Sequence, residues 1–298
     1  GDLQLNVGLQ QYLIDVERTD NFNASNNGKL DSDSDLLPSI GLIYGLTERL
    51  ELFAGYAKNF KAIPDTILNT VGQEFDNLKA ETANNYDIGV RYFGDTLNVS
   101  ATFYTIEFNN RITLLAYEEI DDLPDYLTEL DGTFVNLGGV ESNGLEVSLD
   151  WRLTPNWTLT SSLTLNKSEY SDTINGYRAG DKVAAIPEHM LASALHYNNG
   201  KYRAGVSAKY TGEYYGAAKR STIDDTPVWN RDDIPSSVIW HAYLGYQQDF
   251  AAGSMFKTAD LAFTLNNLTN QAYISGGQEG AYLLGADRTV SFTVSLGF

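Results

Sequence analysis

Three histidines, His189, His196 and His241, are the first residues of this 298-residue chain that could ligate a metal or move a proton. None belongs to a Glu-x-x-His helix, and the chain has no cysteine to complete a ligand set, so no metal centre is expected. Ser193 and His196 could be read as nucleophile and base of a lipid-cleaving barrel enzyme. Their odd spacing puts them on opposite faces of a regular strand, so no catalytic residue is assigned and no enzyme is expected. Asp31, Asp33 and Asp35, and the run Glu118, Glu119, Asp121, Asp122 and Asp125, offer oxygen ligands for Ca²⁺. Neither group has the spacing and glycine of a helix–loop–helix calcium site, and both read as solvated loop acids. Lys219, Arg220, Trp229 and Arg231 bring cations and a ring into an otherwise acidic stretch, as an anionic, ring-bearing ligand would need. Pairing with Asp224, Asp225, Asp232 and Asp233 accounts for the same charges.

The elements that must position these groups are strands. Val290, Phe292, Val294, Leu296 and Phe298 alternate with Ser291, Thr293, Ser295 and Gly297, so apolar and polar side chains leave on opposite faces. The same period recurs at Leu97–Tyr104, 145–151, 157–166, 202–211 and 261–266, and gives about twelve strands with little helix. Mean hydropathy is −0.27, and no apolar run approaches the roughly 18 residues of a membrane helix, which excludes a helical membrane protein. A net charge of −19 argues against a nucleic-acid partner. No export signal is recognisable at Gly1, so one is expected to have been removed or to lie outside this sequence.

Connections alternate in length. Short turns are expected at Thr47-Glu48-Arg49, Gly94-Asp95, Thr154-Pro155-Asn156, Asn198-Asn199-Gly200 and Ala251-Ala252-Gly253-Ser254. Long polar loops are expected at 19–35, 61–81, 110–132, 171–182, 216–236 and 270–285, the fifth flanked by Tyr210, Tyr214, Tyr215 and Trp240 at outer strand ends. Short periplasmic turns and long outer loops are the pattern of a transmembrane antiparallel β-barrel. Phe93, Trp151, Trp157, Tyr197, Tyr202, Tyr246, Phe250 and Phe298 gather beside the short turns, as an interfacial girdle would.

Four segments carry a family resemblance. Asn59-Phe60-Lys61-Ala62-Ile63-Pro64 resembles a Phe-Lys-Ala-Pro stretch, and Glu81 to Arg91, with Tyr86, Asp87 and Gly89, resembles the Glu…Tyr-Glu-x-Gly strand that follows it. Asn136 to Glu146 contains the Gly144-x-Glu146 strand, and Leu265 to Tyr273, with Asn267 and Asn270, resembles the element before the last hairpin. In this order, with terminal Phe298 as membrane insertion signal, they resemble the carboxy-terminal part of a TonB-dependent outer-membrane receptor of the siderophore-receptor type. The resemblance implies an all-β fold in which the chain is part of a barrel of about 22 strands with a plugged lumen. It further implies a single barrel domain over 1–298 with no plug in this sequence. The function implied is active uptake of a ferric siderophore or similar chelate across the outer membrane of a Gram-negative bacterium, with no cofactor. Implied partners are the chelate, the TonB–ExbB–ExbD complex through a missing amino-terminal region, and outer-membrane lipid and lipopolysaccharide, which divalent ions could bridge to the loop acids. Tyr215, Arg220, Trp229 and Arg231 are the expected ligand contacts. Gly144, Glu146 and Asn267 are expected as structural lumen and turn residues, with Glu146 paired to a lumenal Arg91 or Arg203. A complete passive barrel of 12 to 14 strands is the alternative reading, and a barrel enzyme the second.

Overall fold

The computed structural model describes the whole chain except residues 23–26, 70–77, 116–132, 137, 174–176, 224–225 and 279–280. In chain order, β1 (Leu3–Gln10) leads to the outer hairpin β2 (Asp15–Arg18) and β3 (Gly28–Asp31), then to β4 (Leu37–Gly45) and β5 (Leu50–Lys61). A 3-10 turn at Asp65–Asn69 precedes β6 (Glu81–Phe93) and β7 (Leu97–Asn109), which a second hairpin, β8 (Ile112–Leu115) and β9 (Thr133–Asn136), follows. Next come β10 (Val140–Thr154), β11 (Trp157–Tyr170), β12 (His189–Asn198) and β13 (Tyr202–Thr211). A third hairpin, β14 (Tyr214–Ile223) and β15 (Thr226–Ile234), precedes β16 (Ser237–Asp249) and β17 (Thr258–Asn266). The fourth, β18 (Ile274–Gln278) and β19 (Ala281–Leu284), precedes β20 (Thr289–Gly297).

Twelve strands form one up-and-down sheet, in the order β1-β4-β5-β6-β7-β10-β11-β12-β13-β16-β17-β20. Its connections are short at one end, and all six long ones lie at the other, four of them carrying the outer hairpins. Segments expected to be loops therefore contain strands: Tyr214 and Tyr215 belong to β14 rather than to the end of a sheet strand. Among the described residues β1 and β20 do not pair, so the sheet has two open edges.

Register makes the two faces explicit. Leu3, Tyr44, Leu52, Val90, Ala101, Val147, Leu163, Leu191, Tyr210 and Val238 stand side by side across neighbouring strands with no charged or amide side chain among them. One residue along, the opposite face reads Phe53, Gly89, Thr102, Glu146, Thr164, Met190, Thr211 and Ser237. Protein leaves much of the first face uncovered: Leu3 is 65 %, Ile88 61 % and Leu244 60 % exposed. A continuous apolar surface of this extent requires lipid, and the mixed face borders the lumen. At the short-turn end, rings pair at Trp157–Tyr197 (5.0 Å), Tyr202–Tyr246 (5.3 Å) and Phe256–Phe298 (5.1 Å), which suits the headgroup level.

Protein-on-protein cores occur at the long-loop end. Leu30, Ile63, Ile67 and Leu68 form one buried cluster, and Val140, Tyr170 and Val183 another.

Candidate functional site

The lumen face is strapped by aromatic rings that cross bare backbone. Tyr104 on β7, Gly144 on β10 and Asn166 on β11 are in register, and the Tyr104 hydroxyl donates to Asn166 Oδ1 at 2.9 Å across the glycine. A Cβ at Gly144 would fall within the Tyr104 ring. Tyr243 crosses Gly205 in the same way, its hydroxyl 3.2 Å from His196 Nδ1, and Phe53 covers Gly89 with the Arg91 guanidinium 4.1 Å from the ring centroid. Gly144 therefore lies on the lumen face beneath the Tyr104 ring.

Glu146 requires a correction: it pairs with neither expected arginine. Arg203 passes over Gly245 to an ion pair with Asp260, and Arg91 is turned to Phe53. Distance is the reason. Neighbouring strands lie about 4.8 Å apart, so Arg91, two strands from Glu146, and Arg203, three strands away, start roughly 10 and 14 Å off. His196 and Ser193 do diverge as their spacing requires, for Ser193 bonds Ser161 at 2.7 Å while His196 meets Tyr243.

Asn267 is 2 % exposed with φ of 49°, a left-handed conformation that asparagine tolerates. Its Nδ2 donates to the carbonyls of Gln271 (2.9 Å) and Ala286 (3.0 Å), and its Oδ1 accepts from the Gln271 N–H (2.9 Å). One side chain thereby closes the base of the connection that carries β18 and β19. Asn136 does likewise, donating to the carbonyls of Lys79 and Asn110 and accepting from the Lys79 N–H. The acids Asp31, Asp33 and Asp35 stitch the first outer connection: Asp31 pairs with Lys29 (2.9 Å), Asp33 accepts from the Ile14 N–H (2.9 Å) and Asp35 pairs with Lys58 (3.2 Å). Glu118, Glu119, Asp121, Asp122 and Asp125 lie outside the described residues.

On this braced rim lies a cavity of about 310 Å³, lined among others by Lys182, Val183, Ile186, Glu188, Tyr214 and Tyr215. Residues 181–183 run beside the end of β11: the backbones of Lys182 and Glu169 pair antiparallel, and the Val183 N–H donates to the Ser168 carbonyl at 3.0 Å. Ala185, at φ 61°, donates its N–H to the Tyr215 carbonyl at 2.6 Å and ties this connection to β14. Lys182 Nζ sits 2.8 Å from Glu188 Oε1 and 5.9 Å from the Tyr215 ring centroid. The Glu188 hydrogen bond and charge hold the Lys182 ammonium above its ordinary pKa, so it stays cationic. A cation beside a ring, with apolar Val183 and Ile186 adjacent, can meet an oxyanion and a flat ligand surface together.

Of the expected contacts, Tyr215 lines this cavity. Arg220 on β14 is the register partner of Trp229 on β15, and Arg231 of Ala218; the side chains of Arg220, Trp229 and Arg231 lie outside the described residues. Lys182 and Glu188 were not anticipated. Their signal was Val183 and Ile186, apolar residues between two charges in a loop that otherwise had no reason to bury anything.

Residues 1–268 match the family model described as TonB dependent receptor-like, beta-barrel. The chain belongs to the TonB-dependent receptor β-barrel family. Among curated relatives, this receptor barrel is 22% identical over 249 residues to an uncharacterized TonB-dependent receptor of Haemophilus influenzae, covering 81% of this chain and 64% of the relative. It is 24% identical over 292 residues to the ferrioxamine receptor of Yersinia enterocolitica, covering 95% and 36%, and 27% identical over 210 residues to a ferric enterobactin receptor of Pseudomonas aeruginosa, covering 63% and 27%. The chain therefore spans roughly a quarter to two-thirds of the length of these relatives. In fold it is similar to the unliganded ferric citrate transporter FecA, with a TM-score of 0.74 at 21% identity, over 99% of this chain and 43% of that one. The copper transporter OprC gives a TM-score of 0.70 at 18% identity, over 98% and 44%. The receptor barrel is an outer-membrane protein of the Gram-negative type, and its sheet crosses the bilayer by strands.

Proposed function

We propose that this chain is the carboxy-terminal portion of a barrel that actively imports a ferric siderophore or similar metal chelate, energised by the TonB–ExbB–ExbD complex acting on a plug outside this sequence. Family membership carries the reading, and relatives named for ferrioxamine and ferric enterobactin point to iron chelates as the substrate class. The rim cavity supplies a place for recognition. Tyr215 and Lys182 would meet a ring and an oxyanion of the chelate, and Arg220, Trp229 and Arg231 on the same outer hairpin would add forked donors and ring contact. There is no reaction on the substrate in this proposal; the receptor is not an enzyme.

Radioiron uptake in an iron-limited host tests it. Deleting the full-length gene should abolish uptake of at least one chelate in a panel of hydroxamates, catecholates and carboxylates, and removing TonB from the intact strain should have the same effect. Uptake that continues without TonB would instead fit passive diffusion through an open pore.

A further inference from the structure

The lipid-facing surface carries a groove of about 430 Å³ near the short-turn end, bounded by Tyr197 on one side and Tyr202 and Tyr246 on the other, with Leu244 and Phe263 along it. Register explains the depression. Tyr197, Ala204, Leu244 and Phe263 are side by side on successive strands, so the methyl of Ala204 is the low point between a tyrosine and a leucine. Its neighbours on the outward face of β13, Tyr202 and Val206, are both larger.

A cation stands at the mouth of this groove. The turn before β13 is fixed by Gly200 at φ 88° and by Asn199, whose Oδ1 accepts from the N–H groups of Lys201 (3.1 Å) and Tyr202 (2.7 Å). It delivers Lys201 Nζ to 5.9 Å from the Tyr202 ring centroid and 5.5 Å from that of Tyr246, the two rings that form one wall. Among the described residues Lys201 joins no ion pair. Asp249, at the nearby end of β16, lies two residues from Gln247 on the lumenal parity and bonds to it at 3.5 Å, while Asp260 is taken by Arg203. The ammonium therefore has rings beneath it, no carboxylate partner, and an apolar channel running from it toward mid-bilayer.

We propose that this groove is a binding site for one glycerophospholipid of the periplasmic leaflet, its phosphate at Lys201 and one acyl chain lying over Ala204 between Tyr197 and Leu244. Charge complementarity selects the occupant: a neutral hydrocarbon would leave the ammonium unmatched, and a lipopolysaccharide belongs to the other leaflet, at the long-loop end. A basic side chain at a lipid surface contributes about 1 kcal/mol, a factor of about five in occupancy, and a filled groove excludes the chain altogether.

The test is native mass spectrometry of the full-length, delipidated receptor titrated with dioleoyl phosphatidylglycerol. Wild type should retain one lipid at concentrations where further copies are lost. Lys201→Gln should weaken that first binding about fivefold, and Ala204→Trp should abolish it, whereas Val147→Trp, which places the same ring elsewhere on the lipid face, should leave it intact. Inorganic phosphate at millimolar concentration should not displace the lipid. Retention unchanged in both groove variants overturns the proposal, as does equal loss in Val147→Trp, which would mean unselective annular lipid, or displacement by phosphate, which would mean an anion site without the chain. Where Ala204→Trp fails to fold, Ala204→Leu with Lys201→Gln decides by the same criteria.

Discussion

Gly144 is the position where structure and motif make the sharpest joint demand. The Tyr104 ring lies across its bare backbone to reach Asn166 at 2.9 Å, so Gly144→Ala must displace the ring. Losing the hydrogen bond costs about 1 kcal/mol and forcing a methyl under a fixed ring about 1–3 kcal/mol, a total near 2–4 kcal/mol. The steric term exists only while Tyr104 is present. In a Tyr104→Ala background the same substitution should be neutral, or stabilising by about 0.5–1 kcal/mol, because alanine suits a strand interior better than glycine. The four receptors of this double-mutant cycle can be compared by urea unfolding from detergent micelles, followed by tryptophan fluorescence, with a coupling energy of about 3 kcal/mol expected. If Gly144→Ala costs the same with and without Tyr104, the ring is not the reason for the glycine and the explanation of the motif fails.

Four further outcomes are expected. Phe292→Arg should reduce membrane assembly by an amount equivalent to about 2–4 kcal/mol, and Thr293→Arg far less, since adjacent residues of β20 face lipid and lumen; equal tolerance in a folding assay would contradict the faces. Asn267→Ala removes three hydrogen bonds made by a buried side chain to the part-buried backbone of Gln271 and Ala286, so unfolding should show a loss of about 1–3 kcal/mol, with Asn267→Asp intermediate because it keeps the acceptor. Arg231→Ala and Trp229→Ala in the full receptor should each weaken chelate binding, by about 1.5–3 kcal/mol for the arginine if its bond is desolvated; unchanged titration curves in both would remove β15 from the site. Residues 1–298 refolded alone should give no heat-modifiable monomer on gels, because two open sheet edges would meet hydrocarbon at several kcal/mol per unpaired backbone group.

Much of this was legible in the sequence because lipid simplifies the code. A strand with hydrocarbon on one side and water on the other must alternate, so strand number, faces and the division into short and long connections could be read from residues such as Leu145, Val147 and Leu149. Asn267 was singled out from its turn chemistry alone, and its side chain bonds the backbone of Gln271 and Ala286. The outer hairpins were not. Thr226-Pro227-Val228-Trp229-Asn230-Arg231-Asp232-Asp233 carries proline and charges that β-sheet statistics disfavour, and such a strand, off the membrane sheet, has no lipid face to impose alternation. Glu146 was placed on the right face but with the wrong partners, because parity fixes a face and says nothing about lateral distance. Lys182 and Glu188 escaped notice for a related reason: what brings them to Tyr215 is a contact between separate connections, which local pattern does not encode.

The distribution of buried residues bears on how such a mouth could bind. Across the membrane the sheet needs no protein core, since lipid covers one face and strapping rings cover part of the other. At the long-loop end this changes: Leu30, Ile63, Ile67 and Leu68 bury one another between the first outer hairpin and the 62–80 connection, and Val183 is held against Val140 and Tyr170. Asn136 and Asn267 add three hydrogen bonds each at the roots of two more connections. Loops anchored in this way have surrendered much of their conformational freedom on folding, so a ligand that closes on them need not supply that entropy again. The cavity beside Tyr215 stands on such anchored ground through Val183 and the Ala185 bond to Tyr215. Under the proposed function, affinity there would be set by how well a chelate matches a rim already in place, and specificity would fall to the outer hairpin that these anchors support.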